Sequence, residues 1–148
     1  MKRTMSLKNC VHLIVIGLAL SLRAGAAVAE VVAVVSARNP VTATLSNNQV
    51  VDIFLGKASR FPDGSQAVPI DQSEGSAVRD EFYLKFTGKS PAQIKAHWSK
   101  IIFTGRGRPP REVTNSIEVK KLLAKDPNAI GYIEQSLVDS SVKVLLAQ

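Results

Sequence analysis

Residues 68–82 read VPIDQSEGSAVRDEF, and this stretch decides the fold. A short apolar strand from Val68 to Ile70 is followed by a polar turn that contains Gly75. The turn is followed by a helix for which Ser76 is a suitable N-terminal cap. A strand, a tight turn and a helix in this order are typical of an α/β unit.

The start of this predicted helix has the chemistry of an anion site. Backbone N–H groups in the first turn have no partner within a helix, and the helix dipole adds partial positive charge there. Gly75 permits a ligand to approach the backbone closely, and Arg79 places a guanidinium one turn into the helix. An ordinary capped helix without a ligand is the alternative, because serine commonly caps helices.

The first 29 residues have the pattern of a secretory signal peptide. They begin with basic residues, continue with an apolar run from Leu13 to Leu22, and end with the small residues Ala27-Val28-Ala29. We predict cleavage before Glu30, which leaves one domain at residues 30–148. The apolar run is shorter than the roughly 20 residues that a spanning helix needs. We therefore expect a periplasmic protein that does not span the membrane after cleavage.

Much of the positive charge lies in this predicted signal peptide. The chain has 19 basic and 12 acidic residues, a net charge of +7, and the first 29 residues hold four of the basic residues and no acidic one. The predicted mature domain therefore has a net charge of +3, which fits an anionic ligand and argues against a nucleic-acid partner. The single cysteine, Cys10, also leaves with the signal peptide, so an apolar core must stabilise the domain.

Apolar and capping patterns divide the predicted domain into short strands and helices. We predict strands at residues 30–35, 66–70, 129–134 and 142–146. Helices are predicted to begin after Ser46, Ser76, Ser90 and Asn115. This order predicts a sheet of about four strands, mixed or mostly parallel, flanked by helices. We assign to the core the large residues at helical spacing: Phe54, Phe82, Phe86, Trp98, Ile101, Ile102 and Phe103.

The predicted domain offers no obvious catalytic or metal-binding group. Nucleophilic dyads would need its single histidine, His97, which lies beside Trp98 in a predicted helix, and we interpret it as a packed or surface residue. Zinc sites need several cysteine or histidine ligands. The carboxylates near residues 68–82 match no calcium loop, and we interpret them as solvated: Asp71, Glu74, Asp80 and Glu81. We predict no enzymatic activity, no cofactor and no metal.

Three arginines cluster after the third predicted helix. Arg106, Arg108 and Arg111 are separated by glycines and prolines, which predict a loop. Clustered arginines can bind phosphate or an anionic surface. A solvated loop is the alternative, and we favour it.

Five fragments of the sequence, taken in order, resemble the periplasmic phosphate-binding proteins of ABC transporters. They extend across nearly all of the predicted domain: DIFLGK (52–57), FPDG (61–64), SEGSAVRDEF (73–82), FTG (103–105) and AIGYI (129–133). The resemblance implies an α/β fold of the type II periplasmic-binding-protein class, which has two lobes. The fragments are similar to those of the second lobe, and from the length of the sequence we expect the usual first lobe to be absent.

The resemblance also implies ligand-binding residues. The serine of the family's Ser-Gly-Thr-like turn matches Ser76, whereas Val78 stands in place of the threonine. The family's arginine lies just before the turn, where this chain has Gln72, or just after it, where Arg79 matches. We predict oxyanion contacts from five residues: Ser73, Gly75, Ser76, Ala77 and Arg79. A single lobe should bind weakly unless a second chain completes the cleft.

Two functions follow from this interpretation. The first is a non-enzymatic solute-binding protein of the periplasm that binds phosphate or a related oxyanion in connection with ABC-type transport, as a monomer or a homodimer. The alternative is an accessory module of the cell envelope that keeps the fold without the ligand and docks to a transporter, a sensor or a porin.

Overall fold

The computed structural model describes residues 29–41 and 44–145. The predicted signal peptide lies outside these residues except for its last one. The elements follow one another as β1 (Val31–Ser36), α1 (Asn47–Phe54), β2 (Val68–Gln72), α2 (Ala77–Thr87), α3 (Pro91–Phe103), β3 (Arg111–Val113), α4 (Ser116–Lys125), β4 (Ala129–Glu134), a short 3-10 helix (Gln135–Leu137) and β5 (Val142–Val144).

The five strands form one mixed sheet in the order β3-β2-β4-β1-β5. Strand β2 is parallel to both β3 and β4, with Ile70 opposite Arg111 and Val68 opposite Ala129. Strand β1 is antiparallel to both β4 and β5, with Val34 opposite Gly131 and Val144. The carboxyl ends of three parallel strands therefore lie at one edge of the sheet, where ligand sites of α/β proteins commonly form. The predicted mixed sheet flanked by helices is confirmed.

Two apolar cores cover the two faces of the sheet. On one face, helices α1, α2 and α3 pack on alternate residues of β1 and β4, and the rings of Phe82 and Tyr132 stack with centroids 4.0 Å apart. On the other face, Val119 and Leu123 of α4 are fully buried against the sheet. Both faces are covered, which explains why β1 is buried along its whole length.

The predicted helix starts are confirmed. Ser46 and Ser90 each form a full capping box with the glutamine three residues later, and Ser76 caps α2 by accepting a hydrogen bond from the Arg79 N–H. Asn115 caps α4 by accepting a hydrogen bond from the Glu118 N–H at 3.0 Å. The Glu118 carboxylate pairs with Lys121 at 2.7 Å.

Three predictions about the strands need correction. Strand β2 lies two residues later than predicted, so Asp71 and Gln72 belong to the strand and not to the turn. Strand β3 is absent from the prediction, which places its first residue, Arg111, in a loop. The strand is only three residues long and, among the described strands, pairs with β2 alone. Strand β5 ends at Val144 instead of extending to residue 146, which lies outside the described residues.

The end of α3 differs from the predicted core. Ile94 and Trp98 are buried as expected, but Ile102 is 55% exposed and Phe103 is 92% exposed. The helical spacing of apolar residues continues to the last turn of α3, which is why we assign Ile102 and Phe103 to the core. Among the described residues, however, no other element packs over that turn. None of the described helices is long and apolar enough to cross a membrane.

Candidate functional site

The predicted anion turn lies at the carboxyl ends of strands β2 and β3. The Ser73 N–H and hydroxyl both donate to the Val113 carbonyl, at 2.9 and 3.2 Å, which ties the turn to β3. The Ser76 N–H donates to the Ser73 carbonyl at 3.0 Å and closes the turn. Gly75 has a φ of +89°, and a Cβ added there would meet no atom within 4 Å. The turn is therefore held in place at both ends, and its glycine faces open space.

Backbone donors are available where α2 begins. Among the described residues, the N–H groups of Gly75, Ala77 and Val78 have no protein acceptor. The N–H of Arg79 donates to Ser76 Oγ at 3.3 Å, and the N–H of Asp80 donates to the Ser76 carbonyl. Unpaired N–H groups at a helix start, together with the helix dipole, attract anions.

The Ser76 hydroxyl already has two hydrogen bonds. It donates to Gln72 Oε1 at 3.1 Å and accepts from the Arg79 N–H. A hydroxyl has a single proton. Ser76 can therefore donate to an anion only by rotating away from Gln72.

The side chain of Arg79 is buried and pairs with a buried carboxylate. Its side chain is 94% buried, Nε donates to Asp71 Oδ2 at 3.3 Å, and the guanidinium carbon lies 5.3 Å from the centroid of the Tyr83 ring. Burial is the largest single influence and lowers the pKa of Arg79. The charge and hydrogen bond of Asp71, together with Tyr83 and Tyr132, act in the opposite direction and jointly outweigh burial, so the pKa is raised. The charge of Arg79 is thus balanced by Asp71, while its terminal nitrogens donate to no acceptor among the described residues.

Asp71 is the centre of a buried polar network. It is 1% exposed, and it accepts hydrogen bonds from the hydroxyls of Tyr83, at 2.9 Å, and Tyr132. Burial and the neighbouring Asp71 charge raise the pKa of both tyrosines, so both hydroxyls remain donors over the physiological range. The interpretation of Asp71 as a solvated acid is wrong, because β2 is an interior strand with packed elements on both faces.

Gln72 extends the network to α4. Its Nε2 donates to Ser116 Oγ at 3.0 Å and to the Tyr132 carbonyl at 3.3 Å, and Ser116 in turn donates to Glu134. Gln72 therefore bonds to Ser76 at the start of α2 and to Ser116 at the start of α4. Sequence inspection missed this network, since only the pairing of β2 inside the sheet reveals that consecutive polar residues are buried on opposite faces.

The remaining candidates have structural contacts. His97 Nε2 lies 3.0 Å from the Leu55 carbonyl, which requires a proton on that nitrogen. Glu74 is exposed and pairs with Lys95 at 3.1 Å. One oxygen of Asp80 is buried and has no hydrogen-bond partner in the part of the chain that the structure describes. Within residues 29–41 and 44–145, no group of three or more histidine, cysteine or acidic residues could hold a metal ion.

Comparison with known proteins identifies solved structures with a similar fold. The chain matches no protein-family profile and no curated protein sequence. Among solved structures, it is 26% identical to a protein from Clostridium perfringens assigned as a phosphate ABC transporter substrate-binding protein and solved with bound phosphate, with a TM-score of 0.63 over 79% of this chain and 44% of that one.

Two further structures share the fold. An ABC-type phosphate transport receptor from Vibrio cholerae is 21% identical, with a TM-score of 0.60 over 79% of this chain and 45% of that one. PstS from Borrelia burgdorferi is 15% identical, with a TM-score of 0.53 over 80% of this chain and 47% of that one. The chain thus spans less than half the length of these proteins. The predicted resemblance is confirmed at the level of fold: the chain has a periplasmic-binding-protein-like fold similar to that of phosphate ABC transporter substrate-binding proteins.

Proposed function

We propose that the turn from Ser73 to Arg79 binds phosphate or a related oxyanion, and that the protein is a non-enzymatic, exported binding protein connected with ABC-type transport. One observation carries the proposal: the N–H groups of Gly75, Ala77 and Val78, which flank Ser76 at the start of α2, have no acceptor among the described residues. The C. perfringens protein of similar fold was solved with bound phosphate, which supports this choice of ligand.

The proposed contacts assign a role to each predicted residue. The backbone of Gly75 and Ala77 donates to the oxyanion, and the hydroxyl of Ser76 adds a further bond after it leaves Gln72. Arg79 contributes through its terminal nitrogens, while Nε stays on Asp71. Ser73 positions the turn through its two bonds to Val113.

Weak binding is expected from this half of a cleft. The donors come from one lobe, and Asp71 offsets the charge of Arg79. Ligand affinity is lower when protein donors contact the ligand from one side only and water reaches its other side. We expect dissociation constants on the order of 1 mM, about 4 kcal/mol of binding free energy, unless a second chain covers the turn.

An NMR titration with phosphate tests the site. We expect amide shifts confined to Gly75, Ala77, Val78 and their neighbours, and Ser76→Ala should weaken binding about tenfold, because a hydrogen bond to a charged group contributes about 1.5–3 kcal/mol. Ser90→Ala is the matched control, since it also removes a helix cap but lies outside the turn. The site assignment fails if no localised shift occurs at tens of millimolar phosphate, or if Ser90→Ala weakens binding equally.

A second function rests on the internal hydrogen bonds of the turn. Ser76 and Arg79 are both engaged within the protein, which favours an accessory module that keeps the fold without a ligand. Such a module would dock to an envelope transporter or sensor. Absence of anion binding, combined with a stable complex with one such protein, would favour this function over the first.

A further inference from the structure

Charge is distributed very unevenly along the predicted mature chain. Residues 82–111 contain seven lysines and arginines and no acidic residue, whereas the rest of residues 30–148 has eight basic and 12 acidic residues. The modest net charge of the domain therefore conceals a strongly basic segment. Such a segment attracts anionic partners over about one Debye length, roughly 10 Å at 0.1 M salt.

Three large apolar side chains within this basic segment are exposed: Leu84 in α2, and Ile102 and Phe103 side by side in the last turn of α3. Phe103 is 92% exposed and Ile102 is 55% exposed, at the end of α3. Lys100, Arg106 and Arg108 are exposed on either side of them and form no salt bridge with any described residue. We call residues 100–111 the basic tip.

The turn that carries Phe103 is firmly held. The Gly105 N–H donates to the Ile102 carbonyl and the Arg106 N–H donates to the Ile101 carbonyl, both at 3.1 Å. Gly105 has a φ of +65°. These are the two bonds of a Schellman motif, in which a glycine ends the helix in the left-handed conformation. Because the motif fixes the turn, exposure of Phe103 is a property of the fold.

We propose that the basic tip docks the protein to the surface of an anionic phospholipid bilayer. Lysine and arginine lie against the headgroup phosphates, and Phe103 and Ile102 enter the boundary between headgroups and acyl chains. Two protruding apolar side chains surrounded by cations can insert into a fluid bilayer without a complementary pocket, because the lipids rearrange around them. This surface is separate from the proposed oxyanion turn, and either assignment can fail without the other.

Vesicle co-sedimentation tests the proposal. The chain is expressed with its predicted signal peptide, so that wild type and variants are processed alike and share the same N-terminus. We expect binding to vesicles that contain phosphatidylglycerol and little binding to pure phosphatidylcholine. Raising the salt to about 1 M, where the Debye length is about 3 Å, should release most of the protein.

Variants of the basic tip separate its charged and apolar contributions. Arg106→Gln combined with Arg108→Gln should reduce the vesicle affinity about 25-fold, since each basic residue near such a surface contributes about fivefold. Phe103→Ser should reduce it severalfold. The matched controls on α4 are Lys121→Gln combined with Lys125→Gln, and Ile117→Ser, where Ile117 is 49% exposed.

The outcomes decide between a bilayer and other partners. Loss of binding in the tip variants, with the α4 controls unchanged, supports the proposal. Equal binding to both kinds of vesicle, or equal loss in the controls, overturns it. Failure to bind phosphatidylglycerol, together with a cross-link from position 103 to an acidic envelope protein, would overturn it in favour of a protein partner.

Discussion

Asp71 and Arg79 form a buried ion pair directly beneath the candidate turn. Both side chains are more than nine-tenths buried, and Asp71 also accepts from two tyrosine hydroxyls. Removal of one partner from such a pair leaves the other charge buried and unpaired, which costs more than the pair itself contributes. The pair therefore holds Arg79 in place, whether or not an anion binds.

Replacement of Asp71 by asparagine tests this role. We expect Asp71→Asn to lower the free energy of unfolding by about 3 kcal/mol, because it leaves the Arg79 charge unpaired in the core. Asp52→Asn is the control, since Asp52 pairs with Lys57 at 3.8 Å on the surface and should cost less than about 1 kcal/mol. Urea unfolding followed by circular dichroism measures both. Similar losses in the two variants would contradict the assigned role.

The two tyrosines of the chain, Tyr83 and Tyr132, give a pH prediction. Burial raises the pKa of each above its ordinary value of 10.0. The folded protein therefore keeps protons that the unfolded chain loses above pH 10. Stability from this source is complete below pH 10 and falls as pH rises further, by about 1.4 kcal/mol per pH unit for each tyrosine.

Ultraviolet titration at the tyrosinate absorption band checks this prediction. We expect no tyrosinate near pH 10 while the circular dichroism remains native, and abrupt ionisation of both residues when the protein unfolds in alkali. The denatured chain, titrated in guanidinium chloride, is the control and should ionise near pH 10. Tyrosinate formation in the native protein at that pH would show that Asp71 lacks these donors.

At the scale of elements, the contact of α4 with the sheet depends on a glycine. A Cβ added to Gly131 in β4 would lie 2.4 Å from Val119 Cγ1 in α4. Real carbon atoms do not approach so closely, so the helix would have to move. Gly131 thus allows the helix to lie close enough for Val119 to be fully buried.

Gly131→Ala should therefore destabilise the protein by about 1–3 kcal/mol, the usual cost of overpacking a core. Thermal unfolding measures the effect, and the double variant with Val119→Ala should recover part of the loss. Gly107→Ala serves as the control, because its added Cβ would meet Ile101 at an ordinary 3.4 Å. If Gly131→Ala and Gly107→Ala behave alike, α4 is not held by this contact.

At the scale of the whole molecule, the proposed oxyanion turn would offer donors from one side only. The chain spans 44% of the C. perfringens protein that was solved with phosphate. Donors that converge from one side leave part of an oxyanion in water, which limits affinity. In the homodimer that the sequence analysis leaves open, a second copy of this chain would cover the turn.

Sedimentation of the purified chain with and without phosphate tests this arrangement. If a second copy closes the cleft over the ligand, phosphate should shift the equilibrium from monomer towards dimer, since a ligand favours the state that binds it more tightly. Ser76→Ala should remove the shift, while Ser90→Ala should retain it. A mass that is independent of phosphate, in a protein that binds it, would mean that the single lobe acts alone.

Local sequence determined most of the helices and two of the strands. Ser46, Ser76, Ser90 and Asn115 mark helix starts because a cap is satisfied by groups within three residues of it. Apolar runs locate β1 and β4 because those strands are buried on both faces. The candidate turn was also recognisable, since a glycine followed by a capped helix is a local pattern.

Only the tertiary structure decided the environment of Asp71, Gln72 and Arg79. Their partners lie on other elements, as with Asp71 and Tyr132, which are 61 residues apart. Strand β3 likewise exists through its pairing with β2, and Phe103 is exposed because none of the described elements covers the last turn of α3. Capping depends on neighbours in sequence, whereas burial and charge pairing depend on neighbours in space. A sequence determines which residues are neighbours in space only through its fold.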